Sequence, residues 1–219
     1  MHTAALVPWA NIAVEAEMHG WSENAVIWHY ARLVPPSRTT ALDRQFMTGL
    51  LDAVPSAIDQ VSALPLRYVY LACTSAAFMY PQRMQAAIKQ ANVTLVSAFD
   101  AITAVLRQRR IGRVVLLTPY REKITRAEAS MLDHAGITVT GYASLNLDDG
   151  YGHVSPDQIR VLARAVSDAA IEKAEGIVLS CTGWRTQEVI PELERRLGKP
   201  VISSNLAMVL HARTAREAK

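Results

Sequence analysis

Cysteine is scarce in this sequence. Only 2 of its 219 residues are cysteine, too few for the disulfide network that holds together small secreted proteins. Each cysteine ends an apolar run and precedes a threonine, in "YVYLACTSAAF" (68–78) and in "GIVLSCTGWRT" (176–186). A buried structural cysteine needs no polar neighbours, so the shared setting indicates a chemical role for both.

Long apolar runs are also lacking. No stretch approaches the roughly 20 residues that a membrane-spanning helix needs. The opening segment "MHTAALVPWA" lacks the basic region of a signal peptide. We therefore expect a cytoplasmic protein that has no membrane partner.

A strong charge of either sign is missing too. The formal net charge is +3, and the basic residues are scattered except at 107–113, where we expect the end of a helix. This mild excess suits a small anionic substrate and does not suggest nucleic acid. The six histidines show no metal-ligand spacing, and "GYG" at 150–152 is not a dinucleotide motif. We expect no metal.

Short runs of β-branched and aliphatic residues alternate with longer helical patterns. The predicted strands lie at 4–8, 25–33, 68–72, 93–97, 113–119, 137–143, 176–180 and 200–204. Helical patterns follow most of them, for example at 100–109 and at 155–174, where Ser155 is a predicted N-cap and Pro156 the first helical residue. This alternation is typical of an α/β protein with mostly parallel sheets.

The predicted strands form two similar sets of four. Pro8 has a counterpart in Pro119, and Cys73 has one in Cys181, at nearly the same separation along the chain. We infer a duplicated unit of about half the chain. It predicts two pseudo-symmetric, four-stranded parallel-sheet lobes flanked by helices, with the site in the cleft between them. A single eight-stranded barrel is disfavoured because that fold usually needs about 250 residues.

Both cysteines follow a predicted strand, and ligands of parallel-sheet proteins bind at the carboxyl ends of strands. We therefore expect the two thiols to face each other across the cleft. Backbone N–H groups and a helix dipole at such strand ends predict a lowered thiol pKa. A thiolate and a thiol on opposite sides of a planar carbon form a base and an acid, or a nucleophile and a proton donor.

Polar residues beside these strands are the predicted substrate ligands. The hydroxyls of Thr74, Ser75 and Thr182 lie next to the cysteines and can hold a carboxylate together with loop N–H groups. Asn11 and Tyr120 follow the first strand of each lobe and can also hydrogen-bond a carboxylate. The alternatives are an N-cap for Asn11 and a half-buried packing residue for Tyr120.

Three plainer roles compete for the cysteines. Each can be a small buried hydrophobe, the two can form a disulfide, or they can bind a metal. A disulfide is disfavoured in a cytoplasmic protein, and two thiols without a third ligand make a poor zinc site. Their equivalent places in a repeat, each before a threonine, favour catalysis over a packing role.

The chain resembles the aspartate/glutamate racemase superfamily, and within it the maleate cis-trans isomerase group, which is related to arylmalonate decarboxylase. The resemblance covers nearly the whole chain. It rests on "VPWANIAVEAE" (7–17), "CTSAA" (73–77), "LLTPY" (116–120) and "LSCTGWRTQEVIPELERRLGKPVISSN" (179–205). The last stretch is the most specific of these.

The resemblance implies an architecture and a mode of action. It implies a first lobe of residues 1–97 plus 205–219, a second lobe of residues 98–204, and a homodimer or larger homo-oligomer. It also implies cofactor-free chemistry on a small carboxylate substrate. Cys73 maps to the family's nucleophile and Cys181 to its proton partner.

The resemblance also assigns substrate ligands and shows departures. Asn11 and Tyr120 map to residues that bind substrate carboxylates in such enzymes. A further family asparagine falls near "NLDDG" (146–150), so Asp149 or Gly150 takes its place here. Another departure is Trp9, which is bulky where isomerases carry a small polar residue. With Trp184 beside Cys181, it suggests a pocket shaped for a different or more apolar substrate.

Four functions remain open from the sequence. The leading hypothesis is maleate-type cis-trans isomerisation, in which Cys73 adds to the double bond. The second is a two-base racemase of an amino acid or a hydantoin. The third is an arylmalonate-type decarboxylase, which Cys73 disfavours because those enzymes keep a cysteine only in the second lobe. The fourth is a binding protein that has kept an old enzyme site.

Overall fold

The computed structural model describes residues 1–22 and 26–217, with side chains described up to residue 214. It contains two four-stranded sheets in which every pairing is parallel. The strands are β1 (His2–Pro8), β2 (Ile27–Leu33), β3 (Tyr68–Leu71), β4 (Leu95–Ser97), β5 (Arg113–Tyr120), β6 (Thr138–Leu147), β7 (Gly176–Leu179) and β8 (Val201–Ser203). The predicted strands are confirmed, although position 25 of the second lies outside the described residues.

The two sheets have the same strand order. The first runs β2-β1-β3-β4 and the second β6-β5-β7-β8. Each sheet is therefore built from four consecutive strands in the same spatial order. This confirms the predicted duplication and the α/β class.

Helices connect the strands and cover the sheets. They are α1 (Val14–Trp21), α2 (Arg44–Asp52), α3 (Val54–Asp59), α4 (Thr74–Met79), α5 (Pro81–Gln90), α6 (Ala98–Gln108), α7 (Glu122–His134), α8 (Pro156–Arg164), α9 (Asp168–Lys173), α10 (Ile190–Leu197) and α11 (Ser204–Glu217). A short 3-10 helix lies at Tyr151–His153. No helix in the described ranges is long and apolar enough to cross a membrane.

The predicted helix at 155–174 has the expected start but is divided in two. Ser155 and Gln158 form a capping box at the start of α8, with Pro156 as the first helical residue. The chain then leaves the helix, and the side chain of Ser167 accepts a hydrogen bond from the N–H of Ala170 to begin α9. A second capping serine within the pattern thus starts a new helix.

The central strands of both sheets are buried on both faces. All residues of β7 and the last six of β1 are buried, whereas the edge strand β6 is largely half-exposed. This is the burial expected of parallel sheets with helices on each side. Because all strands of a sheet run the same way, their carboxyl ends lie along one edge.

The lobes are packed together by helices. The C-terminal helix α11 packs against α1 of the first lobe and against α6, and α4 packs against both α6 and α7. The predicted boundaries at 97/98 and 204/205 stay a prediction.

Candidate functional site

A cavity of about 470 Å³ lies at the carboxyl ends of the strands and is lined by both lobes. All eight predicted site residues contribute to its wall: Asn11, Cys73, Thr74, Ser75, Tyr120, Asp149, Cys181 and Thr182. None of the described lining residues is Lys or Arg. A larger groove of about 640 Å³ between α2, α3 and α5 contains neither cysteine.

Cys73 lies at the N-cap of α4, as predicted for a cysteine just before a helix. Its side chain is buried, and its Sγ lies 3.5 Å from the hydroxyl of Ser75. Burial raises the pKa of Cys73, although hydrogen bonds from the Ser75 hydroxyl and from the N–H groups of Ala76 and Ser75 oppose the rise. The predicted lowering of the thiol pKa is wrong here, because loss of hydration outweighs these donors.

Cys181 has a different environment from Cys73. No helix follows it directly, since the chain runs irregularly to α10 at Ile190, so the predicted helix dipole is lacking. The N–H of Gly183 donates to its Sγ at 3.2 Å, and the hydroxyl of Tyr120 also hydrogen-bonds it. Burial nevertheless raises the pKa of Cys181 to about 12, so it is a thiol at neutral pH.

The two sulfurs affect each other electrostatically. A negative charge on Cys73 further raises the pKa of Cys181. Two groups coupled in this way do not ionise together easily. The cavity therefore holds at most one thiolate at a time, and a charge on Cys73 makes Cys181 keep its proton.

The threonine hydroxyls beside the cysteines join the two lobes. Thr74 Oγ1 donates to Ser204 Oγ at 2.9 Å, and Thr182 Oγ1 donates to the carbonyl oxygen of Ala72 at 2.7 Å. The N–H of Cys181 donates to the same Ser204 Oγ at 3.0 Å. These hydroxyl hydrogens are therefore used within the protein, and a substrate role for Thr74 and Thr182 stays a prediction.

The side chain of Asn11 also forms hydrogen bonds within the protein. Its Oδ1 accepts from the N–H groups of Ala13 and Val14 at the start of α1, although the N-cap residue of this helix is Ala13 and not Asn11. Its Nδ2 donates to the carbonyl oxygen of Thr182 at 3.1 Å. Asn11 thus links the first strand loop of one lobe to the cysteine loop of the other.

Tyr120 is only 2% exposed and its ring packs edge-on against Tyr151 at 5.5 Å. Burial, with the nearby charge of Cys181 as the next cause, raises the pKa of Tyr120 well above its usual range. The phenol is therefore a neutral donor beside Cys181. Tyr151, which belongs to the "GYG" stretch, also lines the cavity. The sequence did not predict this position.

Asp149 lies at the exposed mouth of the cavity. Its carboxylate accepts from Thr40 Oγ1 at 3.1 Å, and the N–H of Leu42 donates to the carbonyl oxygen of Asp148 at 3.3 Å. The loop after β2 thus meets the loop after β6 across the opening. Contact of Asp149 with a substrate stays a prediction.

Trp9 and Trp184 do not line the cavity. Trp184 is completely buried, and Trp9 donates from Nε1 to the carbonyl oxygen of Thr39 with Arg38 over its ring. These side chains therefore do not form the wall, and a pocket suited to a different or more apolar substrate stays a prediction. The apolar part of the wall comes instead from residues such as Ile12, Leu42 and Phe46.

Two buried glutamates near the site were not predicted. Glu17 of α1 accepts from the N–H groups of Thr186 and Gln187, and Glu128 of α7 accepts from Ser180. Each lies nine residues after the repeated proline, Pro8 or Pro119. The repeat itself was therefore the signal that could have found them.

Asn205 connects Glu17 to the segment that follows Cys181. Its Nδ2 donates to Glu17 Oε2 at 2.7 Å and to the carbonyl oxygen of Thr182 at 3.3 Å. No group of three or more His, Cys, Asp or Glu side chains within the described ranges could hold a metal ion.

Comparison with known proteins links this geometry to a family. The family profile described as arylmalonate decarboxylase matches residues 40–218. The arylmalonate decarboxylase of Bordetella bronchiseptica is 35% identical over 103 residues, which cover 47% of this chain and 43% of that protein. This match thus spans less than half of that relative's length. The maleate isomerase of Nocardia farcinica is 23% identical over 225 residues, covering 92% and 84% of the two chains.

Solved structures show the same fold. The structure of Nocardia farcinica maleate cis-trans isomerase with a covalently bound succinylcysteine intermediate superposes with a TM-score of 0.87, at 17% identity, over 99% of this chain and 92% of that one. The resemblance found in the sequence is confirmed by these matches.

Proposed function

The chain belongs to the arylmalonate decarboxylase family, and from this premise we propose that it is a cofactor-independent isomerase of a small cis-unsaturated carboxylate, working through Cys73 and Cys181. Its relatives include an arylmalonate decarboxylase and a maleate isomerase, which supports an enzyme of this class. The observation that carries the proposal is the pair of thiols, one from each lobe, on the wall of one cavity.

The reaction begins with Cys73. Its proton leaves to water at the mouth of the cavity, and the thiolate adds to one carbon of the double bond. A sulfur–carbon bond forms, and the π electron pair moves to the neighbouring carbon and its carboxylate. The donors at Cys73 Sγ favour the thiolate, whereas the raised pKa of Cys181 keeps that thiol protonated.

Rotation and elimination complete the isomerisation. The former double bond is now single and rotates from the cis to the trans arrangement. Cys181 donates its proton to the carbanion carbon and takes it back before elimination. The electron pair then re-forms the double bond and expels Cys73 as thiolate. Addition and loss of a thiolate are mutually reversible, so the cycle leaves the oxidation state unchanged.

Substrate recognition must come from neutral donors. Since no Lys or Arg is among the described lining residues, we assign the carboxylate to the hydroxyls of Ser75 and Tyr120 and to loop N–H groups. Asn11, Thr74 and Thr182 support these donors through the contacts that join the lobes.

A decarboxylase is the second candidate, because the family profile and the 35% identical relative carry that description. Loss of carbon dioxide from a malonate leaves a carbanion that one thiol can protonate. That reaction needs Cys181 and does not need Cys73. The two functions therefore differ in their demand on the first-lobe cysteine.

Proton NMR of the wild type, Cys73→Ala and Cys181→Ala with maleate and with phenylmalonate tests both functions. We expect conversion of maleate to fumarate by the wild type, and a loss of about 10³-fold or more in Cys73→Ala. Decarboxylation of phenylmalonate that survives in Cys73→Ala, without action on maleate, would replace the isomerase by the decarboxylase.

A further inference from the structure

Each lobe carries one buried glutamate in the helix after its first strand. Glu17 and Glu128 occupy equivalent places in the repeat, and their exposed fractions are 2% and 0%. A buried carboxylate is costly unless donors surround it. The two sites can therefore be compared by the donors that each one provides.

Glu17 is well supplied with donors. The N–H groups of Thr186 and Gln187, the hydroxyl of Thr186 and the amide of Asn205 all donate to its oxygens. These contacts tie the segment after Cys181 to α1. A structural role accounts for Glu17.

Glu128 has a single donor. The hydroxyl of Ser180 donates to its Oε1, while its Oε2 has no hydrogen-bond partner within the described part of the chain. Loss of hydration raises the pKa of Glu128 to about 8, and the Ser180 hydrogen bond is the opposing cause. The carboxyl is thus uncharged at neutral pH, and a structural role leaves its second oxygen unexplained.

Glu128 lies next to the reacting groups. Ser180 directly precedes Cys181, and the charge of Glu128 acts on both Cys181 and Tyr120. Two further ionisable residues belong to this group: Cys73 acts on the same two residues, and Tyr151, whose ring packs against Tyr120, is acted on by both cysteines. The other charged residues of α7 are exposed, and the hydroxyl of Tyr142 in β6 donates to Glu122.

We propose that Glu128 is a positioning residue for this reaction, whose uncharged carboxyl holds the Cys181 loop through Ser180 and whose ionisation suppresses the chemistry of the two thiols. The proposal rests on the proposed function, because thiolate addition places negative charge in the cavity. An ionised Glu128 adds a second negative charge and disfavours that state.

The expected consequence is a plateau in kcat as the pH rises through about 8, the value to which the pKa of Glu128 is raised. The Cys73 thiolate fraction still grows with pH in this range, because the pKa of Cys73 is also raised, but the ionisation of Glu128 cancels the gain. Such a plateau would ordinarily be assigned to the titration of a cysteine. Here it belongs to the carboxyl, and two variants separate these assignments.

The test compares the pH dependence of kcat and KM in the wild type, Glu128→Gln and Ser180→Ala. Glutamine keeps an acceptor for Ser180 and cannot ionise, so kcat continues to rise with pH and at pH 9 exceeds that of the wild type about tenfold. Ser180→Ala removes the donor that lowers the pKa of Glu128, so its plateau begins at higher pH. Glu17→Gln is the matched control, and its plateau begins at the wild-type pH.

Iodoacetamide labelling of Cys181, followed by peptide mass spectrometry at pH 9, is a second readout that needs no turnover. Without the charge of Glu128, labelling in Glu128→Gln is expected to be about twofold faster than in the wild type. Unchanged labelling in this variant overturns the inference, as does a plateau in kcat that neither Glu128→Gln nor Ser180→Ala moves. Absence of turnover in the wild type contradicts the proposed function alone.

Discussion

The loop after β3 and the loop after β7 carry the same Cys-Thr pair, but they surround their sulfurs differently. Cys73 caps α4 and is contacted by the turn that follows it. Cys181 enters an irregular segment and is contacted by Tyr120 from another strand and by Gly183. The duplication places two thiols in one cavity, and the chain around each thiol sets how readily it ionises.

The buried acids deepen this asymmetry. The residue before the cysteine is Ala72 in the first lobe and Ser180 in the second. Alanine has no hydroxyl, whereas Ser180 donates a hydrogen bond to Glu128. Both repeated glutamates hold the neighbourhood of Cys181, because Glu17 crosses to Thr186 in the other lobe. The surroundings of Cys181, the proposed proton donor, are therefore held by more buried hydrogen bonds to acids than those of Cys73.

The largest expected effect on stability comes from Glu128. Its pKa is raised from the usual 4.5 to about 8 in the folded state, so the folded protein binds more protons than the unfolded chain between these values. Stability is then lost as the pH rises through this window. Relative to the wild type, Glu128→Gln should gain about 3 to 5 kcal/mol of unfolding free energy between pH 4 and pH 8.5.

Urea unfolding of both proteins across this range measures the difference. Glu17, whose pKa burial also raises, is present in both proteins and cancels in the comparison. A constant difference between the two proteins at every pH would show that Glu128 is ionised in the folded state.

A smaller effect on stability is expected from the two threonines that join the lobes, Thr74 and Thr182. Thr182→Val leaves the buried carbonyl of Ala72 without its donor and should cost about 2 kcal/mol of unfolding free energy. Thr74→Val should cost about 1 kcal/mol, since Ser204 Oγ still accepts from the N–H of Cys181. Chemical denaturation measures both, and serine at either position, which keeps the hydroxyl, is the control. A larger loss for Thr74→Val would reverse this ranking.

The smallest expected effect concerns the donors at Cys73. The hydroxyl of Ser75 opposes the rise in the pKa of Cys73, so Ser75→Ala should reduce the thiolate fraction. We expect iodoacetamide to label Cys73 about threefold more slowly at pH 8.5, with Cys181 unaffected. Equal slowing at both cysteines would indicate a general closing of the cavity instead.

The sequence predicted the parts of the site that follow from strand order. The repeat of the proline and cysteine motifs was sufficient to place Cys73 and Cys181 on one wall. The repeat did not predict whether the pKa of the thiols is raised or lowered. The thiols are buried by packing between lobes that are distant in sequence, and this burial sets the direction of the shift. The directions of the Trp9 and Trp184 side chains could not be predicted for the same reason, because a bulky residue next to a site residue can point away from the cavity.

The sequence by itself determined two four-stranded α/β lobes and a cavity with a cysteine from each, because strand periodicity and internal duplication are local patterns that survive in a single chain. Only the tertiary structure decided which hydroxyls are already engaged and that Glu128 lies uncharged beside the Cys181 loop. Those properties depend on hydration and on contacts such as that between Thr182 and Ala72, which exist only when the lobes are packed together.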